Sequence, residues 1–335
     1  MPEVAVIVPT HNRLEMLKEA VGSVEKQTLT DWELIVVDDA STDDTWSWLQ
    51  RLSDPRIKPL RLAQNSERSM ASNAGIEIST ADLILFLDDD DVLMTRALER
   101  LVKALGDHPN VIGAIGSGIT SDERGHRRKI THPFLPRTMY IWPEVLSGWS
   151  PPIAAVMFRR EPLLRIGGFD DKVDASHDED LLLRIGCSGP FRLVPWKMTD
   201  YRLHSGQSRL HHALETRKAF RARFIESLPE EARERGERLV EGKHLWNGAE
   251  AFYKEGEMAA ALRGYIAACR YQPEFLSSPL HRPYMLKDIA KALTARTTQL
   301  VLGKRLGERA RARAKALVGA TFRRHPGQHR PMRKR

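Results

Sequence analysis

The sequence predicts an α/β fold: a Rossmann-like, mostly parallel central sheet flanked by helices, followed by an all-helical extension. Three observations carry this. Apolar, β-branched runs recur at Val4–Val8, Glu33–Val37, Ile57–Leu62 and Leu83–Leu87. Helix-periodic segments such as Leu14-Leu17-Val21-Val24 separate them, and such alternation reads as βαβ units. Beyond Ser208 the chain turns to Ala, Glu, Arg and Leu.

Taken in order, the runs at 4–8, 34–37 and 83–87 are apolar at every position, the pattern of central strands covered on both faces. Ligands of such sheets bind outside the carboxyl ends of the strands. There the sequence places Pro9-Thr10, Asp38-Asp39 and Asp88-Asp89-Asp90-Asp91. From Gly113 the pattern is mixed. Ile153–Phe158 reads as a strand, Glu179–Cys187 as a short helix and Arg192–Leu203 as an extended run. Residues 245–273 read as two short helices joined near Gly256, similar to one tetratricopeptide hairpin, with no second copy at a spacing of 34. The expected organisation is a domain over 1–208, a helical extension over 209–322 and a basic disordered tail over 323–335.

Composition narrows the class. The 335 residues are 41% hydrophobic and 29% charged, which excludes collagen-like, coiled-coil and wholly disordered chains. The longest apolar stretches have five or six residues, far below the roughly 18 that span a bilayer. Neither a signal peptide nor a disulfide framework is expected, since only Cys187 and Cys269 occur. A cytoplasmic location follows. The net charge of +8 divides unevenly: residues 1–208 hold 24 Lys/Arg against 31 Asp/Glu, and 209–335 hold 28 against 13. Residues 300–335 carry 12 basic side chains and one acid, a bias that suits peripheral contact with an anionic membrane at its inner face.

Chemistry concentrates in carboxylates. Four consecutive Asp at the end of a buried strand repel one another unless a cation stands among them, and Asp88 and Asp90 are the candidate ligands of Mg²⁺ or Mn²⁺. An N-cap accounts for one or two such acids, not four. Asp178-Glu179-Asp180 open a second helix and offer a proton acceptor, although Asp180 and Arg184 at i,i+4 also fit a helical ion pair. Asp38-Asp39 could accept a base N–H or cap the next helix. Trp142, Trp149 and Trp196 fit either a sugar platform or the core.

Together VAVIVPTHNR (4–13), DWELIVVDDASTDDT (31–45), ERSMASNAGIEISTADLILFLDDDD (67–91) and GGFDDKVDASHDEDLLLR (167–184) resemble family 2 glycosyltransferases, inverting enzymes of the GT-A fold that use nucleotide-diphosphate sugars. The resemblance covers roughly residues 3–208. It implies that Pro9, Thr10 and Asn12 belong to the nucleotide-binding loop, that Asp38 and Asp39 reach the base, and that Arg68, Asn73, Asp88 and Asp89 contact nucleotide or sugar. It implies a DXD metal site of Asp88 and Asp90, helped by His204, with the register open by one residue, and an ED motif of Glu179 and Asp180. Asp180 would be the catalytic base. His11 stands where an aromatic residue is usual.

The resemblance implies a metal-dependent hexosyltransferase that moves a sugar, most simply from a UDP donor, to a glycan or lipid-linked acceptor in cell-surface polysaccharide or glycoconjugate synthesis. The alternatives are a catalytically inert scaffold of the same family and a nucleic-acid-binding protein acting through the basic C-terminal region. The acidic first half and the absence of a nucleic-acid motif speak against the latter. A dinucleotide-dependent oxidoreductase would need G-x-G-x-x-G after the first strand, where the sequence has Pro9-Thr10-His11-Asn12.

Overall fold

A computed structural model describes residues 1–122, 127–131, 137–173, 176–203, 213–274 and 285–295. The chain divides into two compact units, Met1–Glu237 and Arg238–Arg335.

The first unit opens with β1 (Val4–Thr10), α1 (Leu14–Glu25), β2 (Trp32–Asp38), α2 (Thr45–Leu49), β3 (Ile57–Arg61), α3 (Glu67–Ile78) and β4 (Leu83–Phe86). β1, β2 and β4 are buried along their whole length, as expected of strands with helices on both faces. β5 (Val92–Leu93), α4 (Ala97–Gly106), β6 (Gly113–Asp122), β7 (Arg127–Thr131), β8 (Arg137–Met139) and α5 (Trp142–Leu146) follow. The unit continues with β9 (Val156–Arg159), α6 (Arg160–Arg165), α7 (His177–Ser188), β10 (Phe191–Leu203) and α8 (Ala213–Ser227).

Among the described residues the strands form one sheet of order β3-β2-β1-β4-β9-β6-β10-β5, with β7 beside β6 and β8 beside β10. β1 to β4 run parallel. β9 enters antiparallel to both β4 and β6. The chain travels outward from β1 to β3 and returns to β4 on the other side of β1. The order therefore reverses between β1 and β4, and a crevice opens at their carboxyl ends.

Two element boundaries are corrected, and one open choice is resolved. Ile153–Phe158 is not one strand: Pro151 and Pro152 precede a 3-10 turn at Ile153–Ala155, and only Val156–Arg159 is extended. Trp142 and Trp149 are buried in the core, whereas Trp196 is exposed, with Arg100 5.4 Å from its ring centre. The first of the two predicted short helices is also longer than expected. It is the end of α9 (Glu230–Lys254), which begins just after Pro229.

The second unit starts within α9 and continues with α10 (Met258–Tyr271). Gly256 turns the chain between them at φ 86°, a left-handed conformation that glycine adopts without a Cβ clash. Trp246 and Tyr265 stack with ring centres 4.4 Å apart. A Cβ on Gly264 would lie 2.8 Å from that of Ala249, so the two helices touch closely. No helix among the described residues is long and apolar enough to cross a membrane. The basic stretch 300–335 lies outside the described residues.

α3 seats on the sheet through Gly75. A Cβ there would stand 2.4 Å from Ile7 Cγ2 and 3.4 Å from Val37 Cγ2. Gly75→Ala should gain roughly 1 kcal/mol in helix propensity but lose about 1–3 kcal/mol to overpacking. The net prediction is a lower urea midpoint at unchanged m-value; a midpoint at or above that of the parent protein would refute the close contact.

Candidate active site

β1 and β4 deliver their carboxyl ends side by side, and the loops that follow meet across the crevice. Thr10 Oγ1 donates to Asp89 Oδ2 at 2.8 Å. Arg13 Nη1 donates to Asp89 Oδ1 at 3.1 Å and to Asp90 Oδ2 at 2.9 Å. From α3, Arg68 Nη1 lies 2.7 Å from Asp88 Oδ1. From β10, Arg202 gives its backbone N–H to Asp91 Oδ1 at 3.1 Å and its Nε to the Asp90 carbonyl at 2.5 Å. Asp88, Asp90 and Asp91 each present one carboxylate oxygen, and the three lie within 4.8 Å of one another. Among the described residues this is the cluster whose spacing suits a metal ion.

Crowding and burial disfavour charge here. Burial pushes the Asp88 carboxyl up to about 6 against the pull of Arg68, with Asp178 and Asp90 adding repulsion. Asp89 is raised by burial, opposed by Arg68 and Arg13. Asp91 is raised well above the ordinary range by burial and by Asp88 and Asp90. Burial and the acids nearby push the Tyr201 hydroxyl up to about 12.

Two cavities adjoin the cluster. The smaller, about 230 Å³, is lined by Pro9, Thr10, Asp39 and Asp89 among others. The larger, about 710 Å³, has Asp88, Asp90, Asp91, Asp178, Glu179 and Tyr201 in its wall, a size ordinary for a small-molecule site. Arg13, Glu67 and Arg68 line both.

The acids of α7 part company by helical phase. Residues two apart on an α-helix point about 200° away from each other. Asp178 lines the larger cavity with its side chain 33% exposed. Asp180 is 6% exposed and accepts from Arg184 Nε at 2.7 Å, with Arg184 Nη2 also 2.7 Å away. Arg184 in turn donates from Nη1 to the carbonyls of Ile166 and Gly168. Glu179, in the cavity wall, is gripped by Arg221 of α8. α8 docks further through Phe224 against Trp142, at 6.1 Å between ring centres, and through Arg223, 3.5 Å from Asp170.

The structure thus gathers Pro9, Thr10, Asp39, Arg68, Asp88, Asp89, Asp90 and Glu179 around the two cavities. Asp180 lies outside both, held by Arg184. So do three others, each with structural work to do. Asn12 accepts through Oδ1 from the backbone of Thr42 and Asp43 and staples the first loop to the second. Asp38 is fully buried, accepting from the Ser41 N–H, with Arg61 Nε 3.3 Å away. Asn73 bonds both backbone groups of Phe169. His204 lies outside the described residues. Arg13 and Arg221 were not singled out in sequence, and Asp178 was named only within the acidic run that opens α7, with the base placed on Asp180. Arg13 had one available signal, its place in the same loop as Thr10.

Backbone strain gathers in the same loops. Asn12, Ala40, Glu67 and Ser176 are the non-glycine residues with positive φ among the described residues, at 54°, 56°, 69° and 61°. Each costs of order 1 kcal/mol or more, and such outliers cluster at functional sites. They flank the ends of β1 and β2 and the starts of α3 and α7.

A carboxyl whose pKa in the fold exceeds its ordinary 3.8 weakens the fold as pH rises through the window between the two values, because the unfolded chain ionises first. Asp91→Asn keeps an acceptor for the Arg202 N–H and removes the penalty. In metal-free buffer it should raise Tm at pH 8, by roughly 2–4 °C per kcal/mol recovered, and the gain should fade toward pH 3.5. A Tm unchanged or lowered at pH 8 would contradict the assigned electrostatics.

Comparison with known proteins agrees with this architecture. Residues 5–166 match the profile of Glycosyl transferase family 2. A Campylobacter jejuni GalNAc(5)-diNAcBac-PP-undecaprenol beta-1,3-glucosyltransferase is 42% identical over 118 residues, 34% of this chain and 38% of that protein. A Staphylococcus aureus poly(ribitol-phosphate) beta-N-acetylglucosaminyltransferase, TarP, is 40% identical over 106 residues, 30% of this chain and 32% of its own. The match therefore spans only 38% and 32% of these two relatives. The crystal structure of S. aureus TarS 1-349 in complex with UDP-GlcNAc superposes with a TM-score of 0.62 over 88% of this chain and 90% of that one, at 17% identity, a likeness of fold. The reversal of strand order between β1 and β4, the acidic loop beyond it and the profile over 5–166 make residues 5–166 a glycosyl transferase family 2 domain, within a chain of GT-A-like fold.

Proposed function

We propose that the chain is an inverting hexosyltransferase. It moves a sugar from a nucleotide-diphosphate donor, a UDP-sugar, to a hydroxyl of a glycan or lipid-linked acceptor in the synthesis of a cell-surface polysaccharide or glycoconjugate. The observation that carries this is the meeting of three carboxylates and two arginines at the boundary of two adjoining cavities, inside a family 2 domain. The relatives named above support the donor and acceptor classes.

The donor set suits a hard divalent cation, Mg²⁺ or Mn²⁺: three carboxylates close together, with room left for phosphate and water. Asp88, Asp90 and Asp91 would hold it. When bound, such an ion supplies positive charge to a departing diphosphate.

The chain's own groups do the rest. The smaller cavity, with Asp39 in its wall, takes the nucleoside, and the larger takes the sugar and the incoming hydroxyl. Arg13 and Arg68 offer positive charge between them. Asp178 is the base, because it is the acid of the α7 pair 178/180 that faces the larger cavity. It accepts the proton of the acceptor hydroxyl as that oxygen bonds to the anomeric carbon. The bond from carbon to diphosphate oxygen breaks on the opposite face, with inversion. Placement and fixed charge contribute most of the rate.

Asp178→Asn should lower kcat by about 10²–10⁴-fold, the usual worth of general base catalysis, with UDP affinity nearly unchanged. Asp180→Asn should instead lower Tm, because it breaks the pair with Arg184. Full turnover in the first variant, with loss confined to the second, would return the base to Asp180. The wider reading is tested by a panel of nucleotide-diphosphate sugars scored for Mn²⁺-dependent stabilisation and slow donor hydrolysis. A UDP-hexose is expected to respond; a well-folded protein silent to every donor would favour an inert scaffold. Membrane contact through residues 300–335 predicts salt-sensitive binding to anionic liposomes that truncation near residue 300 abolishes. Equal binding by the truncated chain would rule it out.

A further inference from the structure

The acidic cluster has its positive charge already in place, and that charge sits on two of the carboxylates a metal would need. Arg68 Nη1 lies 2.7 Å from Asp88 Oδ1. Arg13 Nη1 lies 2.9 Å from Asp90 Oδ2 and 3.1 Å from Asp89 Oδ1. Asp88 and Asp90 are two of the three residues of the metal-spaced group. A cation bound at this group competes with both guanidinium groups for the same carboxylates.

The two arginines also stand at one particular place. Both line the smaller cavity and the larger one, so they form the wall between them. A nucleoside in the first and a sugar in the second are joined by a diphosphate that must pass this wall. A diphosphate there would offer each arginine an anion in place of its carboxylate.

We propose that Arg13 and Arg68 are exchange cations, which hold the metal-binding carboxylates in the empty protein and pass to the donor's diphosphate when a metal takes their place. This rests on the reading of the cluster as a metal and diphosphate site, and it adds an order of events. Metal alone takes Asp88 from Arg68 and Asp90 from Arg13, which keeps Asp89, and loosening a half-buried charge, 28–32% exposed here, from its partner is costly. Diphosphate alone meets arginines still engaged by acids. Only the two together satisfy every charge, so each ligand strengthens the other, and by linkage the enhancement is equal in both directions.

The prediction has an unusual sign. A residue that merely contacts phosphate leaves binding of metal alone unchanged when it is removed, whereas removing an exchange cation frees the metal's ligands. The test is Mn²⁺ titration of the full chain at pH 8, followed by electron paramagnetic resonance of the free ion, with and without UDP. It compares the parent protein with Arg68→Gln, Arg68→Lys and Arg13→Gln. For the parent, UDP should tighten Mn²⁺ by at least about tenfold, within the usual range of coupling between sites. In Arg68→Gln, Mn²⁺ alone should bind about 5–10-fold more tightly than in the parent, and the tightening by UDP should shrink to about threefold or less. Arg68→Lys should fall between, and Arg13→Gln should shift the same way, so that misfolding of one variant leaves the other to decide.

Binding of Mn²⁺ alone that is equal or weaker in both Gln variants would overturn the exchange while leaving the metal site in place. Absence of Mn²⁺ binding in every protein, with and without UDP, would overturn the site and the exchange together.

Discussion

Four consecutive aspartates at the end of a fully buried strand are the constraint around which this molecule is arranged. β4 cannot carry them to solvent, because the strands on either side hold it in the sheet, and Asp89, Asp90 and Asp91 are at most 5% exposed. Their charge has to be met by groups brought from elsewhere. Arg13 comes from the loop after β1, Arg68 from the first turn of α3, and the Arg202 backbone from β10. The residues that answer the repulsion are 76 to 111 positions away from it or nearer, in α3, so the acidic site and the long-range closure of the domain are one problem with one solution.

The sheet makes that solution possible. Parallel strands covered on both faces release most of their polarity at one end; the exception in β2, Glu33, is met by Lys58 and the N–H groups of Thr80 and Ala81. The reversal of order between β1 and β4 then leaves a crevice where two helices cannot close over the strand ends. Strain is concentrated at the same margin. Asn12, Ala40, Glu67 and Ser176 hold left-handed conformations in loops whose neighbours over-determine them, as with Asn12, which accepts from two backbone N–H groups of the next loop.

Much of this was legible in the sequence, for physical reasons. β1, β2 and β4 were visible because burial on both faces demands apolar side chains at successive positions. The acidic loop was visible because no ordinary cap explains four carboxylates in a row. Less was legible where a choice depended on helical phase. Asp178 and Asp180 are two residues apart and chemically identical, and only the pairing of Asp180 with Arg184 decides which of them faces the cavity. The alternative of an i,i+4 ion pair, open from sequence, is the arrangement that the fold adopts. Asp38 and Asp39 divide in the same way at the end of β2, one turned into the protein and one toward the smaller cavity. Asn73 pattern-matched a ligand contact but bonds the backbone of Phe169, a contact 96 residues away that no local signal announces.

The docking of α8 bears on where the first unit of the chain can be cut. A fragment ended at residue 208, where the family resemblance ends, would lack Arg221 and Arg223 and so leave Glu179 and Asp170 without these counter-charges. It would also lay bare the face of Trp142 that Phe224 covers. Such a fragment would contain every motif of the family and still present a sticky, destabilised surface beside its own site. The minimal autonomous piece is set by this helix rather than by the motifs, and for expression or crystallisation it runs to about the end of the first compact unit at Glu237.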